Sequence, residues 1–111
     1  VVIFGDGRQT RDFVYIDDVV DALVRAGQAE GVVRSILNIG SGVEVSISGL
    51  LDTIEHVIGH PVHRLENPEE DVGVSRLVAD IRLAREKLGF EPRISLPEGL
   101  RLTIERDERF R

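Results

Sequence analysis

Short apolar runs alternate with polar turns along the whole chain, and their spacing predicts an alternation of strands and helices. Val1–Phe4 and Phe13–Ile16 are β-like runs flanking Gly5-Asp6-Gly7-Arg8-Gln9-Thr10. Asp-Gly is a strong turn dipeptide, so residues 1–16 read as two short strands around a tight loop. Asp17 or Asp18 then stands where a helix cap is expected. Val20, Leu23, Val24 and Gly27 share one face of the helix that follows to about Ala29, with Gly31 past its end. Ser35–Ile39 contains Ile36-Leu37-Asn38-Ile39, which reads as a strand buried on both faces. Gly40-Ser41-Gly42 turns the chain. Ser46 or Ser48 opens a second helix carrying Leu50, Leu51, Ile54 and Ile58, which Gly59 and Pro61 stop.

Val62–Leu65 predicts a further short strand, and residues 66–76 a polar loop. Asp80 caps a third helix with Ile81, Ala84 and Leu88 on one stripe, ended by Gly89 and Pro92. Ser95-Leu96-Pro97-Glu98 has capping-box spacing and opens a last helix through Leu100 and Ile104, fraying into residues 105–111. Such alternation is the signature of an α/β fold, here with short strands and about four helices.

The predicted strands are few and short. A strand buried on both faces needs neighbouring strands and covering helices, so the sheet is expected to be completed by sequence outside this chain. The lack of any Met, with Val at position 1, points the same way: residues 1–111 read as a single unit cut from a longer protein.

Composition narrows the class. With 41% hydrophobic and 31% charged residues, the chain is globular in type. Fourteen basic against 20 acidic side chains leave a net charge of −6, so the basic stripe of a nucleic-acid binder is not expected. No apolar run reaches the ~18 residues of a membrane span. There is no cysteine, which excludes disulfides, thiolate zinc sites and a Cys nucleophile, and a cytoplasmic location is the expectation.

Several chemistries can be weighed from spacing alone. Gly40-Ser41-Gly42 lies between a predicted strand and helix, the setting of a dinucleotide loop. G-x-G-x-x-G, however, requires glycine where Val45 stands, and the ribose-binding acid about 20 residues on is replaced by His60. A plain strand-to-helix turn is the better reading. A Tyr-x-x-x-Lys proton shuttle fails twice, because Val19 lies four residues after Tyr15, and Leu83 four before Lys87. His56, His60 and His63 read as solvated helix-end residues, Glu69-Glu70-Asp71 as a solvated acidic loop, and Asp17-Asp18 as the acidic end of a helix.

The thirteen arginines, against one lysine, are more informative. Arg11 sits inside a strand-forming run, with Asp12 directed to the other face. A guanidinium there needs a planar anionic partner. Either an acid elsewhere in the chain pairs with it, or it clamps a ligand phosphate or carboxylate. Arg76 is a weaker candidate of the same kind.

The run from Ile3 to Val19, IFGDGRQTRDFVYIDDV, resembles a signature stretch of the extended short-chain dehydrogenase/reductases, the NAD-dependent epimerases and dehydratases of nucleotide sugars. Asn38-Ile39-Gly40-Ser41-Gly42, the Ser46-Ile47-Ser48 helix start, Ala79-Asp80-Ile81 through Leu88-Gly89-Phe90-Glu91-Pro92, and Leu96-Pro97-Glu98-Gly99-Leu100 follow in the family's order. The first stretch is specific; the others persuade by their order.

The resemblance implies the C-terminal substrate-binding part of an extended Rossmann-type fold, lacking the N-terminal dinucleotide-binding half. That missing Rossmann domain would hold NAD and the catalytic Tyr-x-x-x-Lys, so no catalytic residue and no NAD binding are expected of this chain alone. By the resemblance, Arg11 holds the nucleotide pyrophosphate and Asn38 touches the nucleotide sugar, while Val2 and Phe4 pass the base with their backbone groups. Many members carry an arginine in Pro-Arg-Pro-Gly-Asp, where this chain reads Pro68-Glu69-Glu70-Asp71, and Arg76 is the expected substitute. The implied function is the nucleotide-sugar-binding segment of an epimerase, a UDP-hexose 4-epimerase by preference. A 4,6-dehydratase or reductase segment is the alternative, and a non-catalytic binding or structural remnant the rival of another class. The expected partners are a nucleotide sugar and the missing domain, with room for a homodimer of the longer protein.

Overall fold

The longest apolar stripes do become helices. In the computed structural model, which describes residues 1–110, α1 spans Ile16–Gln28, α2 Ile47–Ile58, α3 Arg82–Leu88 and α4 Leu96–Arg106, followed by a 3-10 turn at Glu108–Phe110. Local capping chemistry sets several ends. Ser46 Oγ accepts the Gly49 amide at 3.0 Å to open α2, and Gly59 closes it at a φ of 81°. Ser95 Oγ accepts the Glu98 amide at 3.4 Å, while the Glu98 carboxylate pairs forward with Arg101. Arg25 reaches across from α1 to donate to the Leu88 and Gly89 carbonyls at 3.3 and 3.2 Å, placing positive charge at the C-terminus of α3.

Two helix starts differ from the sequence reading. Tyr15 occupies the cap position of α1 and supplies no side-chain bond, so neither Asp17 nor Asp18 is the cap. Asp18 is buried and accepts the amides of Arg93 and Ile94 at 3.1 and 3.0 Å, while Asp17 pairs with Arg106 at 3.0 Å. Both carboxylates serve partners far away in the chain. Asp80 precedes the Ile81 cap position and accepts the Arg82 amide and guanidinium.

The strands are β1 (Val2–Phe4), β2 (Thr10–Arg11), β3 (Val45–Ser46) and β4 (Leu65–Asn67). No hairpin joins residues 1–16. β1 instead pairs in parallel with β4, Val2 opposite Leu65 and Phe4 opposite Asn67. β2 pairs antiparallel with β3, and Thr10 also bridges to Arg76. Phe13–Ile16 is therefore not a strand, and the strand expected at Val62–Leu65 lies at Leu65–Asn67. Ser35–Ile39 forms no ladder with any described segment, and Ile36 is 88% exposed. A strand needs a neighbour to take its backbone groups, and this chain offers none there.

The main buried cluster joins Ala22 of α1, Ile81, Ala84 and Leu88 around α3, and Phe90, with Leu37, Ile39 and Ala79 packed against it, while Ile3 and Leu51 are buried outside it. The apolar stripe of α1 faces the other way. Val20, Leu23 and Val24, which share one face of the helix, are 49%, 67% and 54% exposed, and Ile16 extends the same patch. The radius of gyration is 16.4 Å with extents of 48 × 34 × 18 Å, against about 13 Å for a compact chain of this length. The chain is a flattened plate on which the apolar stripe of α1 is uncovered.

Candidate functional site

A cleft of about 460 Å³ is lined by Arg11, Asp12 and Val14, with residues 38–40 and 77–80 completing its walls. The structure brings Arg11 and Asn38 into this one cleft. Arg76 lies outside it, with its guanidinium on Glu44 at 2.7 Å. Val2 and Phe4 belong to β1, joined to the cleft by the loop after β4. Val72 of that loop packs against Gly5, where a Cβ would come within 2.5 Å of it, and its carbonyl accepts from Arg11.

Of the two partners weighed from the sequence, the acid is not found among the described residues. Arg11 makes no ion pair with any described residue. Its Nη1 donates to the Thr10 and Val74 carbonyls at 2.7 and 2.8 Å, and its Nη2 to the Val72 carbonyl at 3.2 Å. Neutral carbonyls orient the guanidinium but do not cancel its charge. A guanidinium has five N–H donors, so Nε–H and one Nη2–H are left uncommitted beside the cleft.

Asp12, which the sequence reading passed over, is the best-bonded acid of the site. Oδ1 accepts the Ser41 amide and hydroxyl at 2.8 and 2.6 Å, and Oδ2 the Gly42 and Ala79 amides at 2.9 and 3.2 Å. Gly40 fits beneath because it lacks a side chain: a Cβ would lie 2.6 Å from both Ala79 Cβ and Asp12 Oδ2. The available signal was an acid beside a strand arginine, together with a Gly-Ser-Gly turn whose amides need an acceptor.

That turn does not fit NAD. Its Ser41 and Gly42 amides, which would have to face a pyrophosphate, are held by Asp12, and α2 begins only at Ile47. Tyr15, the sole tyrosine, accepts from Arg106 and packs against Gly99. Among the described residues no cluster of three or more His, Asp or Glu side chains could hold a metal, and no helix is long and apolar enough to cross a membrane.

Burial alone would raise the Asp12 pKa, but the bonds from Ser41, Gly42 and Ala79 outweigh it and hold the carboxyl below its ordinary 3.8. The sign follows from linkage. A carboxyl depressed in the folded state adds stability above its unfolded pKa and loses it as pH falls through the folded value. Denaturant midpoints should therefore stay level down to about pH 5 and fall below about pH 4. In Asp12→Asn the protein should be weaker at pH 7 and the acid fall shallower; an unchanged acid slope would remove Asp12 from this account.

Comparison with known proteins places these features in context. Residues 1–40 match the NAD dependent epimerase/dehydratase family. UDP-glucose 4-epimerase of Mycolicibacterium smegmatis is 43% identical over 103 residues, covering 93% of this chain and 33% of that protein. The crystal structure of UDP-glucose 4-epimerase from Thermotoga maritima with UDP-glucose superposes with a TM-score of 0.85 at 38% identity, over 95% of this chain and 33% of that one. UDP-glucuronic acid 4-epimerase from Bacillus cereus, in complex with UDP-glucuronic acid and NAD, gives 0.81 at 33% identity, over 89% and 32%. The chain spans about a third of the length of the relatives it matches.

Proposed function

We propose that this chain, a segment of the NAD-dependent epimerase/dehydratase family, supplies the nucleotide-sugar-binding part of a UDP-hexose 4-epimerase. The observation that carries the reading is Arg11: half-buried, without a carboxylate, its orientation set by three carbonyls and two donors left uncommitted beside a cleft shared with Asn38. A planar fork held in advance is suited to a diphosphate, because little side-chain freedom remains to be lost on binding. Asn38 offers a donor and an acceptor to the sugar. Arg76 is the weaker candidate, its Nε donating to Glu44 at 2.7 Å on an exposed surface.

The base is assigned to the open edge of β1. Leu65 N–H donates to the Val1 carbonyl, and Gly5 N–H to the Asn67 carbonyl. Residues 1, 3 and 5 therefore turn toward β4, and alternation directs the backbone groups of Val2 and Phe4 to the other edge. Gln9 Nε2 covers the Phe4 carbonyl at 2.9 Å, leaving the Val2 carbonyl and the Phe4 amide to face a planar ring. The relatives with UDP sugars favour uracil there.

The remaining two-thirds of the family's fold is the proposed partner for the α1 face and for the ladder that Ser35–Ile39 lacks. NAD and the proton-transferring residues would belong to it. Titration of the ¹⁵N-labelled chain with UDP tests the assignment. Arg11 Nε–H, the Asn38 side-chain amide and the Phe4 amide should shift together, with shifts elsewhere small. If UDP at millimolar concentration moves none of the three, the nucleotide assignment is wrong.

A further inference from the structure

Arg11 and Asp12 are neighbours with opposite duties. On the assumption that the cleft takes a nucleotide, we infer that Asp12 is a positioning residue, setting the separation of the two cleft walls so that Arg11 and Asn38 meet one ligand. Its carboxylate is the tie between them. Oδ1 holds Ser41, at the end of the wall that carries Asn38 and Ile39, and Oδ2 holds both Gly42 and Ala79, the latter in the facing wall. The other polar tie between these segments is the Glu44–Arg76 pair, which lies outside the cleft. Gly40 closes the arrangement, because its missing side chain lets Ala79 and Asp12 approach together.

The chemistry of the tie is specific to a carboxylate. Four donors, three of them amides, converge on two oxygens. An asparagine has one oxygen; whichever way its amide turns, at least one backbone N–H faces another donor. The Ser41 hydroxyl can rotate to accept, but the amides cannot. Asp12→Asn therefore loosens the tie, by turning an acceptor into a donor opposite at least one amide, while leaving Arg11 and Asn38 in the chain.

A purely structural role would look different, and the molecule contains its own control. Asp18 is also a carboxylate that accepts two backbone amides, those of Arg93 and Ile94, but it lies outside the cleft. UDP affinity should be measured by ¹⁵N titration for the native chain, Asp12→Asn, Ser41→Ala and Asp18→Asn, each at a temperature where its spectrum is that of a folded protein. Asp12→Asn is expected to weaken UDP binding at least tenfold, and the Arg11 and Asn38 side-chain signals should no longer shift in concert. Ser41→Ala removes one of the four bonds and should weaken binding a few-fold, which keeps the inference open to test even if Asp12→Asn does not fold. Asp18→Asn should lower the melting temperature and leave UDP affinity within twofold. Equal affinity losses in Asp12→Asn and Asp18→Asn, or normal binding by Asp12→Asn, would make Asp12 a structural residue and overturn the inference while the nucleotide reading survived. A native chain that binds no UDP would overturn both.

Discussion

Arg11→Lys should weaken UDP binding by about tenfold to a hundredfold although the charge is kept, the loss expected when a charge-assisted contact of ~1.5–3 kcal/mol is removed. Lysine is a point charge on a flexible stem and cannot serve three carbonyls and a phosphate at once. From the sequence the expectation is a choice: a ligand clamp would leave the fold nearly untouched, whereas pairing with a buried acid would mainly lower the melting temperature. The structure alters that expectation. Arg11 also fastens the loop after β4 through the Val72 and Val74 carbonyls, so the melting temperature should fall as well. The two effects separate when affinity is measured well below the melting transition of the variant. A protein that melts early yet binds UDP with native affinity would make Arg11 a loop brace, and the nucleotide assignment would lose its main support.

The second large effect concerns the uncovered face. Purified alone, the chain should bind a hydrophobic dye strongly and self-associate, because Ile16, Val20, Leu23 and Val24 of α1 form an exposed apolar stripe and Ile36 stands in an unpaired extended segment. Leu23→Glu combined with Ile36→Lys should reduce dye fluorescence several-fold and return the chain toward monomer in sedimentation. Its stability should hardly change, since those side chains are 67% and 88% exposed and leave no cavity when replaced. The same pair of substitutions should abolish association with the rest of the family's fold when that part is supplied in trans. A dye-silent native monomer with a sharp unfolding transition would show that the plate is complete as it stands.

The resemblance to the NAD-dependent epimerases and dehydratases and the α/β class were legible in the chain itself, as were the helices whose ends depend on residues within one turn. Ser46, Gly59, Gly89 and Ser95 act on their own neighbours, so their caps can be read without knowing anything else. The stripe Ile81, Ala84 and Leu88 was legible for the same reason, and it became the core. The stripe on α1 was equally clear as a pattern, yet a pattern says only that a face needs cover, not whether this chain provides it.

Only the tertiary structure decided the pairing of β1 with β4, the absence of a ladder at Ser35–Ile39, and the partners of Asp12, Asp18 and Arg11. The strand partner of β1, the donors on Asp12 and Asp18 and two of the three carbonyls around Arg11 lie 29 to 76 residues away in the chain. Strand pairing and buried carboxylates are satisfied by whichever donors and acceptors folding delivers, and local sequence does not encode their identity. Arg11 shows the division most clearly. Its sequence position marked it as a cation in need of a partner, and the fold then surrounded it with carbonyls that orient the guanidinium without neutralising it.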